Sequence, residues 1–342
     1  MTDNILTAYG LDPAQCRVDA FGSGLINDTW NVTNGADAYI LQSINTNIFK
    51  SPRAIADNLN LLDAYLKQQH PGYIFPAPLP TLSGEYLVVD DGKHYRLLPF
   101  VKNSHTIDVV TTADQAYEAA KQFGRFSKML NGFDASQLQY TLPDFHNLDL
   151  RVQQFEQALG TADSNRLRSA EKEVAVARSY SSIADTYRDI VNNKTIPLRV
   201  IHHDTKISNV LFDNADKGIC VIDLDTVMPG YFISDVGDMM RTYLSPANEE
   251  EQDLDKINIR VENIRAIADG YLSEMGDVLT PAERELFFYS GKFMIWMQAL
   301  RFLTDHLNGD IYYHTKYPGH NLARAQNQLL LLERFVAMEK GL

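Results

Sequence analysis

The stretch Val200-Ile-His-His-Asp-Thr-Lys-Ile-Ser-Asn209 sets His202, Asp204 and Asn209 in the pattern H-x-D-x-x-x-x-N, and a later apolar run ends in Asp223-Leu-Asp225. Those residue types suit phosphoryl transfer from ATP. A carboxylate must accept the proton of the attacking hydroxyl, and hard oxygen ligands must hold Mg²⁺ against the phosphates. Asp204, at the end of a short apolar strand, suits the base. Asn209 and Asp223 supply oxygen ligands, brought together by the hairpin between them. Lys206 can reach the γ-phosphate and neutralise charge during transfer. His-x-Asp alone fits an ordinary strand and loop; the whole pattern, closed by a strand ending in Asp, is far rarer.

The chain must supply elements that bring these residues together. Leu198 to Ile201 is a short apolar strand, and Val210 to Phe212 with Ile219 to Ile222 forms a hairpin. The first hundred residues are strand-rich, with hairpin turns at Asn34-Gly35 and Asp91-Gly92. Gly22-Ser23-Gly24 is either a hairpin turn or a loop whose backbone N–H groups meet ATP phosphates, and with Asp204 and Asp223 downstream the second reading is preferred. Leu97 to Val101, with Phe100, reads as a buried strand end; by resemblance to kinases it also sits where the two lobes connect and backbone groups would bind adenine. The strand Tyr39 to Ser43 lacks the lysine that protein kinases carry there, and the next helix offers Asp57 as the usual acid. Lys50 or Arg53 are candidate replacements.

Ser51 and Pro52 open a helix bearing Ile55, Leu59, Leu62 and Leu66 on one face. Thr111 or Thr112 caps the next, which Gly132 ends. Ser164 to Asn192 reads as one long helix or two. The capping box Thr280-Pro-Ala-Glu283 opens a helix running to Leu307, and His320 or Asn321 begins the last. Glu249-Glu-Glu251 reads as a solvated helix start. Asp225 assists the metal or caps a turn, Asp235 braces the catalytic loop, and Asp238 pairs with Arg241 at a surface. The layout is a small β-rich N-lobe over 1–100 and a larger helical C-lobe over 101–342.

With 342 residues, the chain suits a two-lobe enzyme or a pair of domains. Its formal charge of -13 argues against nucleic acid as a partner. Cys16 and Cys220 build neither a disulfide framework nor a Cys-based metal site. The start, MTDNILTAYG, lacks a secretory pattern, and no run approaches the roughly 20 apolar residues of a membrane span. The expectation is a soluble cytoplasmic protein.

The motif set resembles the aminoglycoside phosphotransferase and choline kinase group, which shares the two-lobe protein-kinase fold. That resemblance implies an α+β fold, MgATP as phosphoryl donor, Asp204 as base, and Asn209 and Asp223 as Mg²⁺ ligands. Within the group the chain is more similar to the N-acetylhexosamine 1-kinases. The similarity lies in His202 to Asp213, Val221 to Gly230 with its Asp-Leu-Asp-Thr-Val-Met-Pro-Gly run, and Asp235-Val-Gly-Asp238 with Arg241. It also covers Ile44-Asn45 to Phe49-Lys50, Leu142-Pro-Asp-Phe-His146, Arg301 to Tyr313 and His320 to Arg324. Leu25 departs from it, where many relatives carry His. The resemblance implies that Arg301 and a tyrosine after the Gly309-Asp310 turn, taken as Tyr312, line a sugar pocket. The substrate is then an N-acetylhexosamine phosphorylated at its anomeric hydroxyl. The other reading is a kinase of an aminoglycoside, choline or an amino alcohol; such cations would want a pocket of several acids, whereas the C-terminal segment offers Arg, Tyr and His.

Overall fold

The computed structural model describes residues 2–22 and 26–339. Ser23 and Gly24 of the glycine-rich turn, with Leu25, lie outside the described residues. After helix α1 (Thr2–Ala8), one antiparallel sheet gathers β1 (Cys16–Ala20), β2 (Asp28–Asn34), β3 (Asp37–Ile44), β4 (Val88–Asp90) and β5 (Lys93–Pro99) in the order β1-β2-β3-β5-β4. The β4–β5 turn works because Asp91 and Gly92 both adopt positive φ, 48° and 72°, the pair of left-handed residues a tight hairpin wants. Ile5, Leu6, Val32, Leu41, Tyr95 and Leu97 give this sheet its own small core.

Helix α2 (Pro52–Gln69) starts as its sequence dictates: the Ser51 side chain accepts the Ala54 N–H and Pro52 fills the first turn. Its apolar face (Ile55, Leu59, Leu62, Leu66) belongs to the larger, C-terminal core. Asn58 fixes it there, donating to the Val227 carbonyl at 3.2 Å and the Gln139 carbonyl at 2.8 Å.

The C-terminal part is helical: α3 (Ala113–Met129), α4 (Leu148–Thr161), α5 (Ser164–Ser169), α6 (Glu171–Ser179), α7 (Ser182–Asn193), α8 (Phe232–Tyr243), α9 (Val261–Met275), α10 (Pro281–Glu285), α11 (Phe287–Leu307) and α12 (His320–Glu339). Between α7 and α8 lie four short strands, β6 (Arg199–Ile201), β7 (Val210–Phe212), β8 (Gly218–Val221) and β9 (Met228–Gly230), paired as β6-β9 and β7-β8. Helix α11 is the spine. Helix α8 lies so close to it that a Cβ on Gly237 would collide with the Ser290 carbonyl.

Some boundaries differ from expectation. Ser164 to Asn193 is three helices, with bends that let Ala170, Ala177 and Ile183 all reach the core. Thr112 caps α3, but Leu130 closes it ahead of Gly132. The Thr280 box opens only the short α10, because Leu286 turns at φ -85°, ψ 1° before α11 begins. Glu283 is fully buried, and both its oxygens hold Arg199 on β6 at 2.7 and 2.9 Å, which pins the strand leading to Asp204. Glu249 to Glu251 is not a helix start. Glu249 pairs with Arg241 at 2.6 Å and Glu250 with Arg324 and Lys316, so the acids tie the end of α8 to α12. Among the described residues no helix is long and apolar enough to cross a membrane.

Candidate active site

Asp204 follows β6 in a loop that leaves little freedom. The Asp235 carboxylate, fully buried on α8, accepts the backbone N–H of His202 at 2.9 Å and of His203 at 2.7 Å. The Asp238 carboxylate accepts the Thr205 N–H at 2.8 Å, while the Tyr243 hydroxyl donates to the Thr205 carbonyl at 2.6 Å. The Thr226 hydroxyl donates to the His202 carbonyl at 2.6 Å. His202 packs edge-on against Phe123 and Phe126; its Nδ1 receives the Asp204 N–H at 3.4 Å, so its Nε2–H donates to the Ile222 carbonyl at 2.9 Å. His203 takes positive φ, 67°, and points its ring at Gly230, where a Cβ would lie 2.6 Å from the imidazole. Burial, with His202 nearby, pushes the His203 pKa down to about 3, so the ring is a neutral wedge. Asp238 and Arg241 do pair, at 2.9 Å, but in the interior.

Asp223 faces this loop from the end of β8. It adopts positive φ, 58°, where an aspartate is tolerated better than bulky residues, and starts the 3-10 turn Leu224–Thr226. Its side chain is open to solvent on the cleft floor, yet protein crowds it on most sides. Desolvation, then the charges of Asp225 and Asp204, push its pKa up to about 7 against the opposing pull of Arg96 and Lys206. Converging carboxylates of this kind are what a divalent cation relieves. Asn209 donates its amide N–H to the Asp204 carbonyl at 2.9 Å, which leaves its Oδ1 as the free end. Among the described residues no three His, Cys, Asp or Glu side chains form a metal cage. A carboxylate and an amide oxygen beside phosphates fit Mg²⁺, which keeps waters and substrate oxygens for most of its octahedron. Lys206 reaches Asp204 at 3.2 Å; burial opposes its charge, but Asp204, Asp238 and Asp223 outweigh it and its pKa is raised.

The opposite wall comes from the five-stranded sheet. Gly22 takes φ 77° in open space, and Phe21 beside it meets the Phe100 ring edge-on at 6.2 Å. The Phe100 N–H donates to the Ala38 carbonyl at 3.3 Å. Alternation along β5 therefore turns the Pro99 carbonyl toward the other edge. Arg53 lies away from the cleft, paired with Glu85 and Asp57 on the exposed surface, and Lys50 is exposed. The buried cation of this wall is Arg96 on β5. Gln42, directly opposite it on β3, accepts from Arg96 Nε and Nη2 at 3.0 and 2.8 Å, and Nη1 pairs with Asp225. Sequence reading missed it. The available signal was an arginine inside an apolar strand, in register with the only polar residue of Tyr39-Ile-Leu-Gln42 able to receive it.

The third wall lies beside His203. The Phe145 and His146 rings stack at 4.3 Å, and His146 lies 5.3 Å from His203. Arg301 on α11 spans the Phe145 and Tyr313 rings, 5.6 and 5.5 Å from their centroids. Gln298 accepts from Arg301 at 3.2 Å and donates to the Tyr313 hydroxyl at 3.3 Å. The ring on Arg301 is thus Tyr313; Tyr312 stands outside it, largely exposed, edge-on at 4.8 Å. The buried Asp305 carboxylate orders this loop by accepting the N–H groups of Ile311, Tyr312 and Tyr313. Desolvation, with the nearby guanidinium groups of Arg301, Arg241 and Arg151, holds the His146 imidazole well below its ordinary pKa.

Residues 17–266 match the phosphotransferase enzyme family. The fold is similar to that of a microcompartment-associated aminopropanol kinase (TM-score 0.66, 18% identity, covering 99% of this chain and 97% of that one). It is also similar to a spectinomycin phosphotransferase solved with ADP and spectinomycin (0.58, 13%, 99% and 98%) and to choline kinase from Cryptosporidium parvum (0.58, 13%, 99% and 96%). At these identities the likeness is one of fold.

Proposed function

The chain belongs to the phosphotransferase enzyme family, and from that premise we propose that it transfers the γ-phosphoryl group of ATP to the anomeric hydroxyl of an N-acetylhexosamine, giving the sugar 1-phosphate and ADP. Asp204 orients the hydroxyl and takes its proton as the O–P bond forms. Asn209 Oδ1 and Asp223 are the proposed ligands of Mg²⁺, which neutralises the phosphates when bound. Lys206 stands beside Asp204, positioned to meet the transferring charge. The Pro99 carbonyl offers adenine an acceptor, and Phe21 with Phe100 offers it apolar surface.

The observation that carries the substrate class is Arg301 held between the Phe145 and Tyr313 rings beside the catalytic loop. Aromatic faces suit a sugar ring, and a guanidinium suits hydroxyl or acetamide oxygens. A cationic amine would meet Arg301 and Arg151 here, while the nearby acids Asp238, Glu249 and Glu250 are engaged with Arg241, Lys316 and Arg324. The choice of the anomeric hydroxyl rests on the sequence resemblance in Val221 to Gly230 and Arg301 to Tyr313. ADP release is the test, with N-acetylglucosamine, N-acetylgalactosamine, choline, an amino alcohol and an aminoglycoside as acceptors. Turnover with the acetylated sugars is expected; turnover with the amines and none with the sugars overturns the reading.

A further inference from the structure

Asp225 has no oxygen to spare for a metal. It is 1% exposed; Oδ1 faces Arg96 Nη1, and Oδ2 accepts the Asn27 side-chain N–H at 2.8 Å. Both partners belong to the opposite wall. Arg96 is itself only 2% exposed and is aimed by Gln42, whose own amide is oriented by donating to Thr29 on β2 at 3.2 Å. Asn27 is set by accepting the Asn45 N–H at 3.0 Å. A chain of polar contacts therefore runs from the sheet, through Asp225, into the turn that carries Asp223. In protein kinases the cation of this wall sits on β3 and pairs with a helix acid of its own lobe. Here it sits one strand over, and its acid partner comes from the other lobe, two residues from Asp223. The Arg96 guanidinium is buried and already engaged, which suits it to holding another group in place.

We infer that Arg96, Gln42 and Asn27 are positioning residues for the metal-binding turn: through Asp225 they fix Asp223 in its left-handed conformation, so the metal site is complete only when the two lobes are clasped. The inference rests on the reading of Asp223 as a Mg²⁺ ligand. A ligand's supporting contacts commonly govern metal affinity by 10–100-fold. Removing the clasp should weaken metal binding while leaving the nucleotide's own contacts intact.

Calorimetry on the full chain tests this in Arg96→Gln, in Asp225→Asn, in the two combined, and in Asn27→Ala, which deletes one hydrogen bond without stranding a buried charge. The expected result is MgADP affinity lowered about tenfold or more in Arg96→Gln, with ADP affinity in EDTA within about twofold of the parent and the half-saturating Mg²⁺ concentration for turnover raised. The combined variant should be no worse than the worse single one, since both break the same link. If Arg96→Gln does not fold, Asn27→Ala should show the same split on a smaller scale. Unchanged MgADP affinity in the folded variants overturns the inference. So does an equal loss for metal-free ADP, which would make Arg96 a nucleotide contact. Asp223→Asn separates the underlying reading: parental MgADP affinity there removes the metal assignment, whereas loss there without loss in Arg96→Gln overturns the clasp alone.

Discussion

The two walls of the cleft are built on opposite plans. On the catalytic-loop side, the backbone from His202 to Thr205 is held by Asp235, Asp238, Tyr243 and Thr226, all through buried hydrogen bonds. On the sheet side, Gly22 and Phe21 are exposed, and the strands themselves reach the turn of Asp223 through Arg96 and Asn27 at Asp225, while α2 packs into the C-terminal core. Chemistry asks for a fixed base, because small misplacements of reacting groups cost large factors in rate. A nucleotide that must enter and leave asks for a wall that can part from its partner. The molecule spends its buried polar contacts accordingly.

Breaking the rigid side at its chemical tip should have the largest effect. Asp204→Asn removes the proposed base, and ADP release should fall by about 10²–10⁴-fold, with melting temperature and ADP affinity unchanged; a loss of only a few-fold would place the chemistry elsewhere. Next comes the scaffold behind it. Asp235→Ala leaves the His202 and His203 N–H groups buried without acceptors, at about 1–3 kcal/mol each, so denaturant unfolding should register a loss of about 2–6 kcal/mol. The matching cut on the sheet side is smaller. Phe21→Ala removes an edge-on contact with Phe100, which should cost about 1 kcal/mol or less and raise KM for ATP more than it lowers kcat. Equal stability losses from these two alanines would erase the contrast.

The smallest effect is a gain. The raised Asp223 carboxyl keeps its proton more readily in the folded chain than in the unfolded one, so ionising it disfavours the fold. That penalty is complete above about 7, shrinks as the pH falls toward the ordinary 3.8, and is absent below it. Asp223→Asn should therefore raise the melting temperature of the ligand-free protein at pH 8, with the gain fading between about pH 7 and 4, even as metal-dependent turnover is lost. A variant less stable than the parent at pH 8 would show that the carboxylates on the cleft floor do not repel.

The rigid wall was also the legible one. Strand ends, hairpin and H-x-D-x-x-x-x-N are local patterns, so Asp204, Asn209 and Asp223 could be picked out together from their spacing. Ser51, Thr112 and the Thr280 box could be read as caps because capping is local too. Arg96 could not, since its role depends on β-register with Gln42 and on contact with a residue 129 positions further along the chain (225 - 96). The helix breaks at Ala170 and Leu286 and the ion pairs of Glu249 and Glu250 were hidden for the same reason: tertiary packing around α11 and α12 overrode local propensity. Tyr312 and Tyr313 are adjacent and chemically identical, and only the loop ordered by Asp305 decides which ring meets Arg301.

Transfer of phosphate to a sugar's anomeric oxygen is the proposed reaction of this cleft. Phosphorus and proton NMR of the product formed from MgATP and N-acetylglucosamine reads it directly. A phosphorus resonance coupled to the anomeric proton is expected; phosphate on C6, or an unmodified sugar, overturns the proposed reaction.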